Sequence, residues 1–232
     1  MPARAVRRLC DPRRRRGTGD GVQRLQGWCG IVAPVLFTAA WVAGSLCQVG
    51  YSAGRVQLSG LAALDARDPQ IMIAGFVGLG VCSAAFGAGL GRVAAAGKAG
   101  PRLIIAAGVA TIAAGVFRRD HLLLTGPGFA GESWHNQVHD VVSALAYAAM
   151  IAAPLVLARR FRGDPDWGGL RRPLQILALV SAVALALFAS GAPGPWNPVV
   201  QRVAVTLALA AEVLLAVRVL TLGPSLPVDS SV

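Results

Sequence analysis

Charge is scarce in this chain. Only 14% of its residues are Asp, Glu, Lys or Arg, against about a quarter in an ordinary soluble domain. Lysine is almost missing: Lys98 stands alone among 22 basic residues, the rest being arginine. With 28 glycines and abundant alanine, that bias points to a GC-rich bacterial genome. Cysteine is sparse too, and Cys10, Cys29, Cys47 and Cys82 include no CxxC pair. If Cys29 and Cys47 share a helix they stand roughly 27 Å apart along it, beyond disulfide reach. Cys82, about midway along the second helix, is expected at a different depth from both. These spacings exclude a disulfide framework and a cysteine-based metal site. No GxSxG, HExxH, phosphate-binding loop or dinucleotide fingerprint stands in a fitting context.

What the chain has in plenty is apolar surface: 55% of its residues are hydrophobic and its mean hydropathy is +0.58, which places it among membrane proteins. A net charge of +11 suits a nucleic-acid partner only when it forms a basic face on a soluble domain. Here the arginines fill the N-terminal tail and the gaps between apolar runs, so no nucleic-acid partner is expected. A crossing helix needs ~20 mainly apolar residues, and six runs meet this. They are Gly27–Gly50, Gln70–Gly91, one from Leu103, Trp134–Ala158, Pro173–Ala192, and one from Asn197 to about Leu220. Asp68-Pro69 and Asn197-Pro198 read as cap-and-proline helix starts. The fold class is therefore all-α, a six-helix transmembrane bundle over residues 27–220. Residues 1–26 form a basic, disordered tail, or follow from a start codon set too far upstream, and residues 221–232 form a short second tail.

Basic residues give the orientation, because cytoplasmic segments are enriched in them. The two tails and the even-numbered gaps hold 17, the other three gaps 5. Both termini are expected in the cytoplasm of a multi-pass cell-membrane protein. The first run is too long for a secretory signal and reads as an uncleaved anchor. Gly87 and Gly91 make a small-xxx-small pair, read as close packing within one bundle.

The third run is odd. Leu103 to Phe117 is 15 residues, about 22 Å of helix, too short to cross. Continued to Leu124 it reaches 22 residues, about 33 Å, and sets Arg118, Arg119 and Asp120 just inside the outer boundary. Ionisable groups at that depth pair or line a cavity; the plainer alternative is a short helix with snorkelling arginines. Next comes "ESWHNQVHDVV", residues 132–142. Ser133 caps a helix on which His135 and His139 share a face at i, i+4. Two imidazoles on adjacent turns plus a carboxylate make a three-ligand site with an open position for a zinc-like divalent metal. Asp120 is the best-placed donor, with Glu132 and Asp140 behind it. Such a metal lowers the pKa of bound water toward ~7, which suits a hydrolase acting on a lipid or amphiphile at the outer leaflet. Ser59, on a short helix over "VQLSGLAAL", joins Asp120 as a candidate catalytic group, though a turn hydroxyl is the commoner role. Interfacial histidines also often serve only to bond water, backbone or headgroups. The competing reading is a non-enzymatic transporter, sensor or assembly factor using the cluster for proton relay or headgroup binding. Arg202 reads by default as an ordinary snorkelling arginine, placed so that it could bind an anionic headgroup or pair with Asp120. Glu212, mid-span, must be neutralised, paired or turned inward.

Taken together, "GYS…LSGL" after the first helix, "GVFRRD" closing the third, "HNQVH" opening the fourth and "QRV" opening the sixth resemble the bacterial membrane-protein family catalogued as domain of unknown function 998. That resemblance implies a six-helix integral membrane protein and no particular chemistry. A more distant similarity, to alkaline-ceramidase-like membrane hydrolases, matches Ser59, Asp120, His135 and His139 to a zinc-centred set. Those proteins have seven helices and carry their HxxxH on a late one, so this likeness is analogy only.

Overall fold

A computed structural model describes residues 12–123 and 133–222. Among the described residues the six α-helices are α1 (Pro12–Cys47), α2 (Pro69–Leu90), α3 (Ala99–Val116), α4 (Trp134–Arg160), α5 (Arg171–Ser190) and α6 (Asn197–Leu222). Among the described residues, strand pairing amounts to one isolated bridge between Val56 and Leu123. Every helix contains a stretch long and apolar enough to cross a membrane, and a helix satisfies its own backbone polar groups where no water can. The fold is that of a multi-pass membrane protein.

Each helix packs against the next in sequence, and α1 closes the ring on α6. Six helices of alternating direction bring the start of α1 and the end of α6 to one end of the bundle, the terminal end. The segments 48–68, 117–123 and 191–196 lie at the other, the cap end. Small residues set the helix spacing: a Cβ on Gly80 of α2 or Gly108 of α3 would strike the carbonyl oxygen of the other. Gly87 likewise rests against Pro101 and Ile104 of α3, so the small-xxx-small pair packs inside the bundle. The terminal end is filled by Phe86, Leu90, Leu157, Phe161 and Leu215, with Phe161 stacked on Trp167 at 4.8 Å. Toward the cap the core passes to Phe37, Leu61, Met72 and Phe76.

Several expectations need correction. α3 does not continue to Leu124; it gains its length at the other end, from Ala99, and its 18 residues rise about 27 Å. At Phe117 the backbone turns extended, because segment 118–123 finds its partners sideways on the α1–α2 connection. Leu64 N donates to the Arg119 carbonyl at 3.0 Å and Leu122 N to Asp65 Oδ1 at 2.6 Å. Continuing the helix would forfeit these bonds. α1 begins at Pro12, upstream of the expected Gly27. Pro69 does open α2, yet Asp68 makes no side-chain cap, and Asn197 Oδ1 at the start of α6 has no hydrogen-bond partner. Cys82 is not at a separate depth: its thiol lies close enough to that of Cys29 to interact with it, both thiols being free.

Candidate functional site: a buried polar layer and a mid-bundle carboxyl

Most buried polar side chains collect at the cap end: Gln48, Gln57, Ser59, Arg119, Asn136, His139 and Gln201 are all under a tenth exposed. Burying such groups without partners costs a few kcal/mol each, and the α1–α2 connection supplies the partners. Arg118 donates from Nε to the Ala62 carbonyl at 2.9 Å and from Nη2 to that of Ala63 at 2.7 Å. Arg119 donates from Nη1 to Gln57 Oε1 at 2.6 Å. Gln201 Oε1 accepts from Leu58 N at 3.0 Å while its Nε2 donates to the Tyr147 hydroxyl at 3.2 Å. Arg202 donates to the Ala53, Val56 and Pro198 carbonyls and to the Tyr51 hydroxyl; it does not pair with Asp120. The arginines expected to sit at an outer boundary are thus the fasteners of a folded cap.

Ser133 caps α4 as expected, its hydroxyl accepting from Asn136 N at 3.3 Å. It also ties Asp120 to the helix start, donating from N at 2.7 Å and from Oγ at 2.6 Å to the two carboxylate oxygens. These donors, the hydroxyl first and the backbone N–H second, hold the Asp120 carboxyl below its ordinary value, with a smaller pull from His121 and His135. Asp120 N donates in turn to Asn136 Oδ1 at 3.1 Å, and Asn136 Nδ2 to Asp140 at 3.1 Å.

The two histidines face different surroundings. His139 is 2% exposed. Its Nδ1 stands 2.8 Å from both the Ala114 and Phe117 carbonyls, and donation there closes the C-terminus of α3, whose last carbonyls lack helical donors. His135 is exposed and stacks on Trp134 at 3.6 Å. Asp120 and His135 share the cap surface while His139 points into the bundle, so the expected trio is not gathered about one point. Among the described residues, no three of the His, Cys, Asp and Glu side chains are arranged to hold a metal ion. Ser59 is buried in a single 3-10 turn, Ser59–Ala62, where a longer helix was expected. Among the described residues it makes no bond to Asp120 or to either histidine. Glu132 lies outside the described residues.

The second element of the site is deeper. Glu212 of α6 accepts from Ser83 Oγ of α2 at 3.1 Å, and its Oε1 is buried without a partner. The carboxyl borders a cavity of about 30 Å³ between α2, α3, α4 and α6, room for roughly two waters. Pro154 in α4 has no N–H to give the Met150 carbonyl, and both residues border this cavity. A second cavity, also about 30 Å³, lies under the cap against Ser143 and Tyr147. Leu79, Thr111 and Met150 are common to both walls. A sequence of polar groups and small voids therefore runs from the Gln201–Tyr147 bond to the middle of the bundle. Below Glu212 it ends at the apolar packing of the terminal end. Sequence reading singled out Glu212 but not Ser83, Thr111, Tyr147 or Gln57. Ser83, Thr111 and Tyr147 are each a lone polar residue in an apolar run, Gln57 is one of several polar residues in a connection, and only the packing shows that they line up.

A family model described as "Protein of unknown function (DUF998)" matches residues 31–218. The comparisons with curated proteins and with solved structures return no match.

Proposed function

The chain belongs to this DUF998 family, and from that footing we propose that it is a non-enzymatic membrane protein that exchanges protons between Glu212 and the cap side. The cap side is the side that the basic-residue count assigns to the outside. The observation that carries the reading is the Glu212 carboxyl: one oxygen held by Ser83, the other unpartnered, on a cavity that shares three wall residues with the cavity under the cap. An ionisable group in a span that faces the bundle interior marks a proton or ion pathway more often than a structural role. Water in the two voids supplies the mobile links, with Thr111 and Tyr147 as the hydroxyls between them. The apolar packing beyond Glu212 stops the path halfway, which fits a sensor, or one state of a transporter, better than an open pore.

A metal-dependent hydrolase built on Asp120, His135 and His139 would need the exposed His135 to leave its stack on Trp134 and converge with the buried His139 and with Asp120; the Nδ1 bonds of His139 would not stand in the way, since they leave Nε2 as the ligand atom. One set of preparations separates the readings. In reconstituted full-length protein, infrared difference spectra taken across a pH step on the cap side should contain a carboxylic-acid carbonyl band. That band should disappear in Glu212→Gln and shift in Ser83→Ala. No such band, or one insensitive to cap-side pH and to deuterium exchange, overturns the proton reading. Stoichiometric zinc lost in His139→Ala would replace it with the metal one.

A further inference from the structure

We propose that the seam where α1 meets α6 binds one anionic phospholipid, its acyl chain in the seam and its phosphate beside Arg202 and Tyr51. The seam holds a groove of about 190 Å³, several times the size of either void described above. Phe37 and Trp41 of α1 and Val205, Leu209 and Val213 of α6 form its apolar walls, and Arg202 stands at its cap end. Thr38 and Thr206 on its rim are exposed, so the groove opens sideways, where lipid chains lie around a membrane-spanning bundle. From Arg202 to Val213 it follows α6 for about 16 Å, half the thickness of a ~30 Å hydrocarbon core. That is the reach of an acyl chain from headgroup level toward the midplane. A second helix, ~10 Å across with its side chains, does not fit.

Charge selects the headgroup. Among the described residues Arg202 has no carboxylate partner, and the cap's acids are engaged elsewhere. Asp65 serves Leu122 N and His121, Asp68 serves Arg67 and Gln70, Asp120 serves Ser133, and Asp140 serves Asn136. Carbonyls and the Tyr51 hydroxyl hold the guanidinium in place 5.7 Å over the Trp41 ring. Its Nε is buried without a partner. Tyr51 accepts from Arg202 and keeps its own proton to donate, and the exposed Arg55 on the same connection adds a second positive charge. A fixed, uncompensated cation at the mouth of a chain-sized groove attracts a phosphate and disfavours a choline, and Trp41 sits where aromatic side chains anchor at the membrane–water boundary.

The test is native mass spectrometry of the full chain in neutral detergent, titrated with phosphatidylglycerol or phosphatidylcholine. The first phosphatidylglycerol should bind at least about fivefold more tightly than phosphatidylcholine, the effect of one arginine near a headgroup. Excess inorganic phosphate should not displace it, because the chain contributes most of the binding. Ala210→Phe, which fills the groove, should weaken that first step about tenfold, while Leu187→Phe on the exposed face of α5 should leave it unchanged. Arg202→Gln should remove the preference for the anionic lipid. Because Arg202 also holds the cap, Ala210→Phe is the deciding variant if that protein misfolds. Equal binding of the two lipids, or retention unchanged by Ala210→Phe, overturns the proposal; displacement by free phosphate would reassign the site to the anion alone.

Discussion

Asp120 shows what a single residue contributes to the cap. Ser133 gives it two donors, and the carboxyl is held below its ordinary 3.8 for that reason first, the nearby histidines adding less. Because the folded value is the lower one, the ionised group stabilises the fold at any pH above the ordinary value, and that contribution is lost as pH falls through the folded value. Asp120→Asn should therefore cost about 1 kcal/mol at neutral pH, the usual worth of such a bond at a partly exposed site. The gap between mutant and parent in thermal unfolding should close on acidification below the carboxylate range. A gap that stays constant down to that pH would mean that shape, not charge, is what Asp120 contributes. The same residue marks a limit of reading from spacing. His135 and His139 are four apart, as a shared metal site requires. However, the end of α3 at Val116 puts two carbonyls beside His139 and draws its ring into the bundle, away from the exposed His135, which no local pattern reveals.

At the scale of elements, register follows from where the small residues sit. Gly75 meets Ala40, Gly78 meets Leu36 and Gly89 meets Gln26, so α1 and α2 run antiparallel with their numbers changing in opposite directions, and Cys82 comes to lie beside Cys29. A short bis-methanethiosulfonate reagent, losing one methanesulfinate at each thiol, should join these two cysteines in the folded protein, giving one cross-linked peptide pair. A link to Cys47, or none while both thiols alkylate, would require another register. The six apolar runs, the proline at the start of α2 and the Ser133 cap were legible in the sequence, because each depends on residues within a turn or two. The end of α3 was not. A span too short to cross can lengthen at either end, and the choice was made by segment 118–123 binding a connection about 60 residues earlier, as in the pair Gln57–Arg119. The placement of Cys82 was missed for a simpler reason: depth was counted along one helix, whereas an antiparallel partner counts it backward.

For the whole molecule, the polar layer, the groove mouth and the path toward Glu212 all belong to the cap end, while the terminal end is closed by aromatic and leucine packing. Which compartment the cap faces decides what the protein can sense or bind. The two tails, the α2–α3 and α4–α5 connections and the helix ends adjoining them carry 17 basic residues, against 5 in the cap-side connections and the helix end beside them. Arginines are retained on the cytoplasmic side during insertion, so the asymmetry predicts an outward-facing cap. Three of the five cap-side arginines, Arg118, Arg119 and Arg202, are moreover bonded into the fold, which leaves Arg55 and Arg67 to oppose the bias. Reporter fusions after Gly97 and Gly163 should therefore report the cytoplasm, and fusions after Gly54 and Gly191 the opposite side. Agreement between Gly54 and Gly97 would break the six-crossing fold itself. A complete inversion would keep the fold but turn the cap and Glu212's path toward the cytoplasm. In that case proton exchange at Glu212 would have to respond to internal pH, and the anionic lipid would be drawn from the inner leaflet.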